Sequence, residues 1–412
     1  MKDLIKHSVN GRGGRWRSTL LLTMLTVGQV ADSYAGATFK IDDTKWIGVG
    51  IGLRSSFTAT QNSAGANNNQ WSNNFSLDNA RLYFNGQMHK YLKFEINTDC
   101  QTCGSGGEIR LLDAIGKIEY NPMANLWVGR MLVPGERREM NGPFYSGIYQ
   151  TFASGTPFEP ADYNLTIQNN GTSAGSYGRD DGATFWGAVL DDRLQYAAGF
   201  FRGLRGGANV NDNPAYAQKL SYNFWSVEKN PGYYTSGTYY GKGGDILTIS
   251  ANNQYQSQGA GTVATPGNFR GTGFDILMEK ILPNKAVLTL EGDYKNYGIT
   301  GGNYHTIANS TATPNFNMFA GQAYDLSSMY MFADKMGIGF VQPYLRYVNI
   351  NPTGSSNRNS YQAGVNYVID GHNAVVSLNY IYGDIATKGL NYTSSAKGAE
   401  VSSFMVGFQW QI

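Results

Sequence analysis

The chain has 412 residues, with 32 Lys and Arg against 30 Asp and Glu and a mean hydropathy of −0.35. This near-neutral balance excludes a general electrostatic binder of nucleic acid. After residue 35 no stretch approaches the roughly 20 apolar residues that a membrane-spanning helix needs. The 52 glycines and 28 tyrosines in a chain that is polar on average fit a transmembrane β-barrel, in which only alternate strand residues face lipid.

The first 35 residues have the layout of a secretory signal peptide. A short apolar core, residues 19–30, follows a positive region that contains Lys2, Lys6, Arg12, Arg15 and Arg17. Small residues predict cleavage after Ala35 or Ala37. A membrane anchor is the alternative, but the apolar run is too short to span a bilayer. Removing the signal's five basic and two acidic residues leaves 27 basic and 28 acidic residues, in one exported domain, residues 36–412.

The last twelve residues, 401–412, show the alternation that a barrel strand needs. One face carries the apolar side chains, which are Phe404, Val406, Phe408, Trp410 and Ile412, and the other face is mostly small or polar. Successive side chains of a strand point to opposite faces, so one face suits lipid and the other suits water. The same alternation occurs in 46–57, 79–88, 246–256, 286–295 and 360–369.

Short and long breaks alternate between these runs. Short breaks fall at 88–90, 120–125, 191–193, 283–285, 333–337 and 370–373, together with one long turn at 225–244. Gly-, Ser- and Asn-rich breaks are predicted at 59–75, 99–107, 131–181, 203–214, 259–268, 298–320, 351–359 and 386–399. Short turns at one end and long loops at the other are typical of outer-membrane barrels. We therefore predict an all-β, antiparallel up-and-down barrel of about sixteen strands, with both termini at the periplasmic end.

A soluble β-sandwich or β-helix is the main alternative fold. A sandwich buries its apolar faces against each other and rarely reaches sixteen strands in one domain. A solenoid needs a repeat of fixed length, which the sequence does not show. The aromatic last strand and the many tyrosines favour the membrane barrel, whose interfacial girdles use such side chains.

Several motifs resemble the phosphate-selective porin O and P family. They are DNARLYFNGQMHKYLKFEINTD (78–99), LLDAIGKIEYNPMANLWVGRMLVPGERREMNGPFYS (111–146), GRDDGATFWGAVLDDRLQYAAGFFRG (178–203) and YNFWSVEKNPGYYTSGTYYGKGG (222–244). The resemblance implies an outer-membrane porin of sixteen strands, a homotrimer, with a long third loop folded into the lumen. It also implies contact with outer-membrane lipid and lipopolysaccharide.

Loop 131–181 corresponds to that third loop. The resemblance then puts Glu136, Arg137, Arg138 and Glu139 at or near the constriction. The family's phosphate-selective members use a lysine cluster and a ladder of arginines, whereas this loop alternates charge signs and contains no lysine. The sequence departs from the phosphate-selective pattern at this point.

Charged residues that face the lumen determine the selectivity of a pore. The predicted pore-lining or constriction set is Arg54, Arg81, Lys93, Arg130, Glu136, Arg137, Arg138 and Arg346. Acidic residues also fall on the inward face, namely Glu95, Asp113, Glu119, Glu291 and Asp293. The alternative is that these charges pair across strands and only hold the wall together. The basic strip from the early strands to loop 131–181 predicts a weak preference for anions, such as phosphate or other oxyanions.

Cys100 and Cys103 are the only cysteines, in the stretch NTDCQTCGSGG. Haem attachment requires a histidine after the second cysteine, but Gly104 follows it. A tetrahedral zinc site needs more ligands than this pair, and the βαβ context of a thioredoxin-like centre is missing. We predict a Cys100–Cys103 disulfide in an extracellular loop, since exported proteins keep disulfides.

The predicted function is passive diffusion of small hydrophilic solutes or anions across the outer membrane of a Gram-negative bacterium. No cofactor, metal or nucleic acid is expected. A structural barrel that encloses or docks a partner, such as a periplasmic or outer-membrane cytochrome, is the alternative. An enzyme is not expected, because no clustered nucleophile and base can be identified.

Overall fold

The computed structural model describes residues 36–100, 109–149, 156–158, 178–203, 209–261, 263–264, 266–300, 320–389 and 396–412. The predicted signal peptide, residues 1–35, lies outside the described residues. Nearly all of the regular secondary structure in the described chain is β-strand, as the alternating pattern predicts.

Sixteen antiparallel strands, β2–β17, form one sheet. Their bounds are β2 Trp46–Ala64, β3 Gln70–His89, β4 Leu92–Cys100, β5 Ile109–Asn121, β6 Ala124–Leu132, β7 Arg179–Val189, β8 Leu194–Phe201, β9 Ala215–Asn223, β10 Ile246–Gly261, β11 Pro266–Ile281, β12 Val287–Thr300, β13 Gly321–Met331, β14 Phe340–Pro352, β15 Arg358–Asp370, β16 Ala374–Gly383 and β17 Val401–Gln411. Each strand pairs with its neighbours in the sequence.

The sheet closes through the pairing of the last strand with the first. Strand β17 is antiparallel to β2, with Ser403 opposite Thr60 and Gln411 opposite Gly52. The sixteen-strand closed barrel predicted from the sequence is therefore confirmed. An even number of strands brings both ends of the barrel chain to the same rim, where Ile51 and Ile412 exchange two backbone hydrogen bonds of 2.8 and 2.9 Å.

One further strand, β1 (Ala37–Lys40), was not predicted. It pairs with the start of β2, from Ala37 opposite Val49 to Lys40 opposite Trp46. Because β17 pairs with β2 only from Gly52 onward, β1 supplies partners for the first residues of β2 on that edge. The short segment thereby completes the pairing of the first barrel strand.

The two faces of the wall differ as the alternation requires. In β12, Leu290 is 41% exposed whereas Glu291, the next residue, is 3% exposed. In β17, Phe404 and Trp410 are exposed while the inward-facing Ser403, Met405 and Gln409 are buried. The outer face is thus apolar and the inner face polar, which is the arrangement of a membrane barrel with a hydrophilic lumen.

The loops differ from the prediction in two places. Residues 59–64 and 70–75 belong to β2 and β3, so that these strands extend far beyond the wall, up to a hairpin turn at 65–69. Likewise β10 and β11 reach Gly261 and Pro266. Backbone pairing between polar strands carries these extensions, which explains why composition alone suggested loops.

Two helical segments interrupt the strands. Segment α1, Arg137–Tyr145, lies between β6 and β7, and α2, Ile385–Lys388, follows β16. Gly142 breaks α1 with a φ of 65°, a conformation that glycine adopts without steric cost. No helix in the described part of the chain is both long and apolar enough to span a membrane.

Candidate functional site: a charged segment inside the barrel

The segment that contains α1 crosses the interior of the barrel. Inward-facing amides from three strands donate hydrogen bonds to its backbone carbonyls: Gln254 of β10 to Pro134 at 3.1 Å, Gln409 of β17 to Phe144 at 2.9 Å, and Asn366 of β15 to Gly147 at 2.8 Å. Residues 133–144 are all buried. The described part of loop 131–181 is therefore held against the wall from within.

Arg138 fixes one side of α1 to the wall. Its guanidinium lies 3.0 Å from a carboxylate oxygen of Glu291 on β12 and 3.0 Å from one of Asp325 on β13. It also donates a hydrogen bond of 2.8 Å to the Ser327 hydroxyl. Arg346 of β14 contacts the same Asp325 carboxylate. These groups form a buried ion network between α1 and three adjacent strands.

Arg137 joins α1 to a second element, the long turn 224–245 between β9 and β10. Its two terminal nitrogens donate to the two carboxylate oxygens of Glu228 at 2.7 and 2.8 Å. Burial alone would raise the pKa of the Glu228 carboxyl, but the attraction of Arg137 outweighs it and lowers that pKa to about 2. Such a bidentate pair fixes geometry as well as charge. Asp275 of β11 lies 3.4 Å from Arg137 and 2.6 Å from Lys219 of β9.

The two acidic residues of α1 and its N-terminal flank face a single lysine. Lys295 of β12 forms an ion pair with Glu136 and lies 3.9 Å from a carboxylate oxygen of Glu139. The ammonium also lies 4.8 Å from the centre of the Phe158 ring. All four charges of residues 136–139, which were predicted at or near the constriction, thus point towards strands β11–β13 and turn 224–245.

The opposite wall carries its own charged network. Arg81 of β3 donates a hydrogen bond of 2.8 Å to Asp99 of β4. Asn79 donates to the same carboxylate at 2.7 Å and accepts a hydrogen bond of 2.9 Å from Arg54 of β2. Arg54 also lies over the Tyr149 ring, 4.0 Å from its centre. Here the arginines stand between the wall and the aromatic residues of the inserted segment.

Strands β4, β5 and β7 continue this network. Asn97 donates hydrogen bonds to Glu95 at 2.7 Å and to Asp113 at 2.9 Å. Lys117 pairs with Glu95, and Arg179 lies 2.8 Å from Asp113. Positive and negative groups alternate along this wall, and the carboxylates of Glu95, Asp99 and Asp113 each have a basic partner.

A cavity of about 90 Å³ separates α1 from that wall. Met140, Asn141, Gly142 and Tyr145 border it on the α1 side. Its remaining lining comes from the wall and from turn 224–245, namely Arg81, Tyr83, Glu95, Asn97, Asp113, Leu132, Arg179, Asn230, Pro231, Tyr234, Thr235 and Gln411. The charged side of the inserted segment is therefore fixed to one wall, while its uncharged side faces a polar space.

Turn 224–245 folds back into the barrel and supports both α1 and the wall. Tyr233 and Tyr234 pack on Trp127 of β6 at ring distances of 5.4 and 5.5 Å. Gly232 lies so close to Trp127 that a Cβ there would come within 2.4 Å of the indole. The sequence identified this turn as unusually long but did not indicate that it enters the lumen.

His372, in the turn between β15 and β16, links these elements at the rim of the barrel where β17 ends. Its Nε2 lies 2.9 Å from the Thr238 carbonyl oxygen and 3.1 Å from the Ser236 hydroxyl. Its ring packs against Tyr145 of α1 and Tyr240 of the long turn. Burial lowers the pKa of this imidazole to about 4, despite its hydrogen bond to Thr238.

Two residues of the predicted pore-lining set lie apart from these networks. Lys93 forms a 2.8 Å ion pair with Glu119, and the lysine side chain is 32% exposed. Arg130 lies on the same face of β6 as the exposed Leu126 and Val128. It forms an ion pair of 3.4 Å with Asp181, which is half-exposed. The structure places Arg130 on the outward face, in contrast to the pore-lining position expected for it.

The cysteine loop is described only in part. Cys100 ends β4 and is buried, whereas Cys103 and the stretch 101–108 lie outside the described residues. The disulfide stays a prediction. No group of three or more His, Cys, Asp or Glu within the described ranges could hold a metal ion.

Several residues of the interior were not singled out from the sequence. They are Glu228, Asp275, Asp325 and Lys295, which hold α1, and Asn141, which borders the cavity. Strand parity puts Lys295 on the polar face of 286–295, and it could also have placed Asp275 and Asp325 on the inner face. No sequence signal indicates which of them α1 contacts.

No protein-family model matches the chain, and no curated protein matches it by sequence. Solved structures do match. An anion-selective porin from Comamonas acidovorans has a TM-score of 0.53 at 12% identity over 89% of this chain and 100% of that chain. OmpF of Salmonella typhi, in complex with daunomycin, has a TM-score of 0.54 at 14% identity over 91% of this chain and 100% of that chain. OmpT of Vibrio cholerae, an outer-membrane protein in a trimer form, has a TM-score of 0.51 at 12% identity over 90% of this chain and 100% of that chain.

At these identities the similarity concerns the fold. The shared fold is the closed sixteen-strand barrel of outer-membrane porins. With its apolar outer face, this architecture indicates a multi-pass β-barrel in the outer membrane of a Gram-negative bacterium.

Proposed function

We propose that this protein is a channel for passive diffusion of small hydrophilic solutes across the outer membrane. One observation carries the proposal: α1 crosses a polar lumen, and its charged side is fixed to the wall by Arg137 and Arg138. Its other side borders a polar cavity. A barrel narrowed by its own loop is the arrangement that a porin uses to limit the size of solutes that pass.

We further propose that the chain belongs with the phosphate-selective porin O and P family and forms a homotrimer. The sequence motifs of β3–β7 and of turn 224–245 support this assignment. In this proposal part of the apolar outer face contacts a second copy, and the rest contacts lipid and lipopolysaccharide. Chemical cross-linking in native membranes tests it, since three linked copies are expected and a monomer alone would contradict it.

Selectivity between ions is proposed to be weak. Arg81, Arg137, Arg138 and Arg346, which were predicted to attract anions, each lie beside a carboxylate. Among the described residues, the buried charged side chains comprise ten basic and fourteen acidic residues. Paired charges give a small net field in the lumen, and the count gives no support to the anion preference expected from sequence.

A barrel that encloses a partner protein is the less favoured function. The inserted segment and turn 224–245 occupy the lumen, and their hydrogen bonds with the wall are buried. A partner chain would have to displace both. The buried charges that hold α1 form fixed ion pairs, which give no support to an enzymatic function.

Planar-bilayer recording of the purified protein tests the proposal. A steady conductance with a small reversal potential under a KCl gradient is expected. Liposomes that contain the protein should also swell in solutions of small sugars, and more slowly as the sugar becomes larger. A folded barrel that neither conducts ions nor admits sugars would overturn the channel function.

A further inference from the structure

Asn141 is a buried amide residue that borders the cavity. Its side chain is 4% exposed, and neither its amide nitrogen nor its amide oxygen has a hydrogen-bond partner among the described residues. Leaving a buried amide unsatisfied costs free energy. Because Asn141 borders the cavity, a ligand there could supply both the missing acceptor and the missing donor.

The charges around the cavity balance. Two guanidinium groups, from Arg81 and Arg179, and two carboxylates, from Glu95 and Asp113, border the same space. The acidic groups lie on β4 and β5, between the arginines of β3 and β7. An anion would meet two carboxylates there, and a cation would meet two guanidinium groups. A solute that carries both charges would find a complement for each.

We propose that this cavity is a binding subsite for small zwitterions of the α-amino-acid class. The inference rests on the proposed channel function and names the solutes that this channel would favour. The solute carboxylate would face the guanidinium groups and the solute ammonium the carboxylates. The Asn141 amide would donate to the solute carboxylate and accept from the ammonium.

The size of the cavity limits the ligand. A cavity of about 90 Å³ holds several water molecules, since one water needs roughly 10–15 Å³ of such volume. It therefore accommodates a solute with only a handful of heavy atoms, such as glycine. Larger amino acids would need the inserted segment to shift, so the smallest members of the class should bind best.

Glycine and its uncharged isomer glycolamide provide a matched pair of probes. They have the same atoms and nearly the same size, but only glycine is a zwitterion at neutral pH. In single-channel recordings at constant KCl, glycine should reduce the current with a saturable concentration dependence. Glycolamide should have no effect beyond that of bulk viscosity. Equal effects of the two isomers would overturn the subsite and leave the channel function standing.

Two variants locate the effect. In Asn141→Ala the half-blocking glycine concentration should rise about thirtyfold, which corresponds to two lost hydrogen bonds. Asn379 provides the control, because its side chain is also 4% exposed and its amide also lacks a partner, but it lies on β16 and does not line this cavity. Asn379→Ala should leave the block unchanged. An equal shift in both variants would contradict the assignment, and a wild-type protein that does not conduct would refute the channel itself.

Discussion

Arg138 of α1 and Glu291 of β12 form an ion pair of 3.0 Å between Nη2 and Oε2, and both side chains are fully buried. The loop residue and the wall residue are more than 150 positions apart in the sequence, yet each contributes a charge that water does not reach. Removing one member of a buried pair leaves the other charge uncompensated, which destabilises a protein more than the pair itself stabilises it. The pair therefore fixes the position of the inserted segment.

Replacement of Arg138 by alanine should release α1 from the wall. Glu291, Asp293 and Asp325 would then repel one another without a central cation, at a cost of about 3–5 kcal/mol. Single-channel recordings should show larger current noise and a higher mean conductance. Arg270, exposed on β11, is the matched control, and Arg270→Ala should behave as wild type. Unchanged current noise in Arg138→Ala would contradict the role of this ion pair in fixing the inserted segment.

The ion pair of Glu228 with Arg137 predicts that the stability of the packed turn 224–245 depends on pH. The pKa of Glu228 is about 2 when the turn is packed, below its ordinary value near 4.3. The packed state therefore binds fewer protons, and its stabilisation is complete above about pH 4.3 and is lost as pH falls towards 2. Current noise of the wild type should rise in this window. The Glu228→Gln channel should be noisier at neutral pH and should change less on acidification.

His372 predicts a second loss of stability on acidification, in a higher pH range. Burial holds its pKa at about 4, against an ordinary value near 6.5, so that the packed state keeps the imidazole neutral. Its stabilisation is complete above about pH 6.5 and is lost as pH falls towards 4. Lys242 of the long turn also disfavours the protonated form.

The test of His372 is the unfolding temperature in detergent at pH 7.5 and pH 5. Wild type should lose about 2 °C more than His372→Gln over this interval, because the variant has no group to protonate at the contact with Tyr145, Ser236 and Thr238. An equal loss in both proteins would contradict the role of His372.

The predicted Cys100–Cys103 disulfide is testable by alkylation and mass spectrometry. Exported proteins keep disulfides, so iodoacetamide should add nothing to the denatured protein before reduction and two groups after it. The Cys103→Ser variant is the control, because it leaves Cys100 reactive without a reductant. Alkylation of both cysteines in the unreduced wild type would contradict the disulfide.

The barrel was predictable because strand alternation is a local signal. Phe404, Val406 and Phe408 alternate with smaller or polar residues. In the structure these three side chains are exposed or half-buried, whereas the residues between them are buried. The extensions of β2 and β3 were not predictable in this way, since residues 59–75 are mostly small and polar, with Trp71 and Phe75 as the only large apolar side chains. Their pairing depends on backbone hydrogen bonds, which leave no apolar pattern in the sequence.

The site was predictable only in part, because the direction of a loop is not encoded locally. Parity placed Arg54 and Arg81 inside, and both are buried there. Parity could also have excluded Arg130, which is two residues from the outward-facing Val128. For Arg137 and Arg138 the sequence indicated a loop but not the wall that they contact. That choice depends on carboxylates from Glu228, Asp275 and Asp325, which are distant in the chain.

The accessibility of Asn141 tests the path of solutes most directly. A charged, water-soluble thiol reagent would be added to single Asn141→Cys channels during recording, with the unsubstituted protein and Asn379→Cys as controls. If solutes pass between α1 and the wall formed by β3–β7, modification should reduce the current of Asn141→Cys and leave both controls unchanged. Conducting Asn141→Cys channels whose current is unaffected, although mass spectrometry shows that the cysteine is modified, would contradict this path.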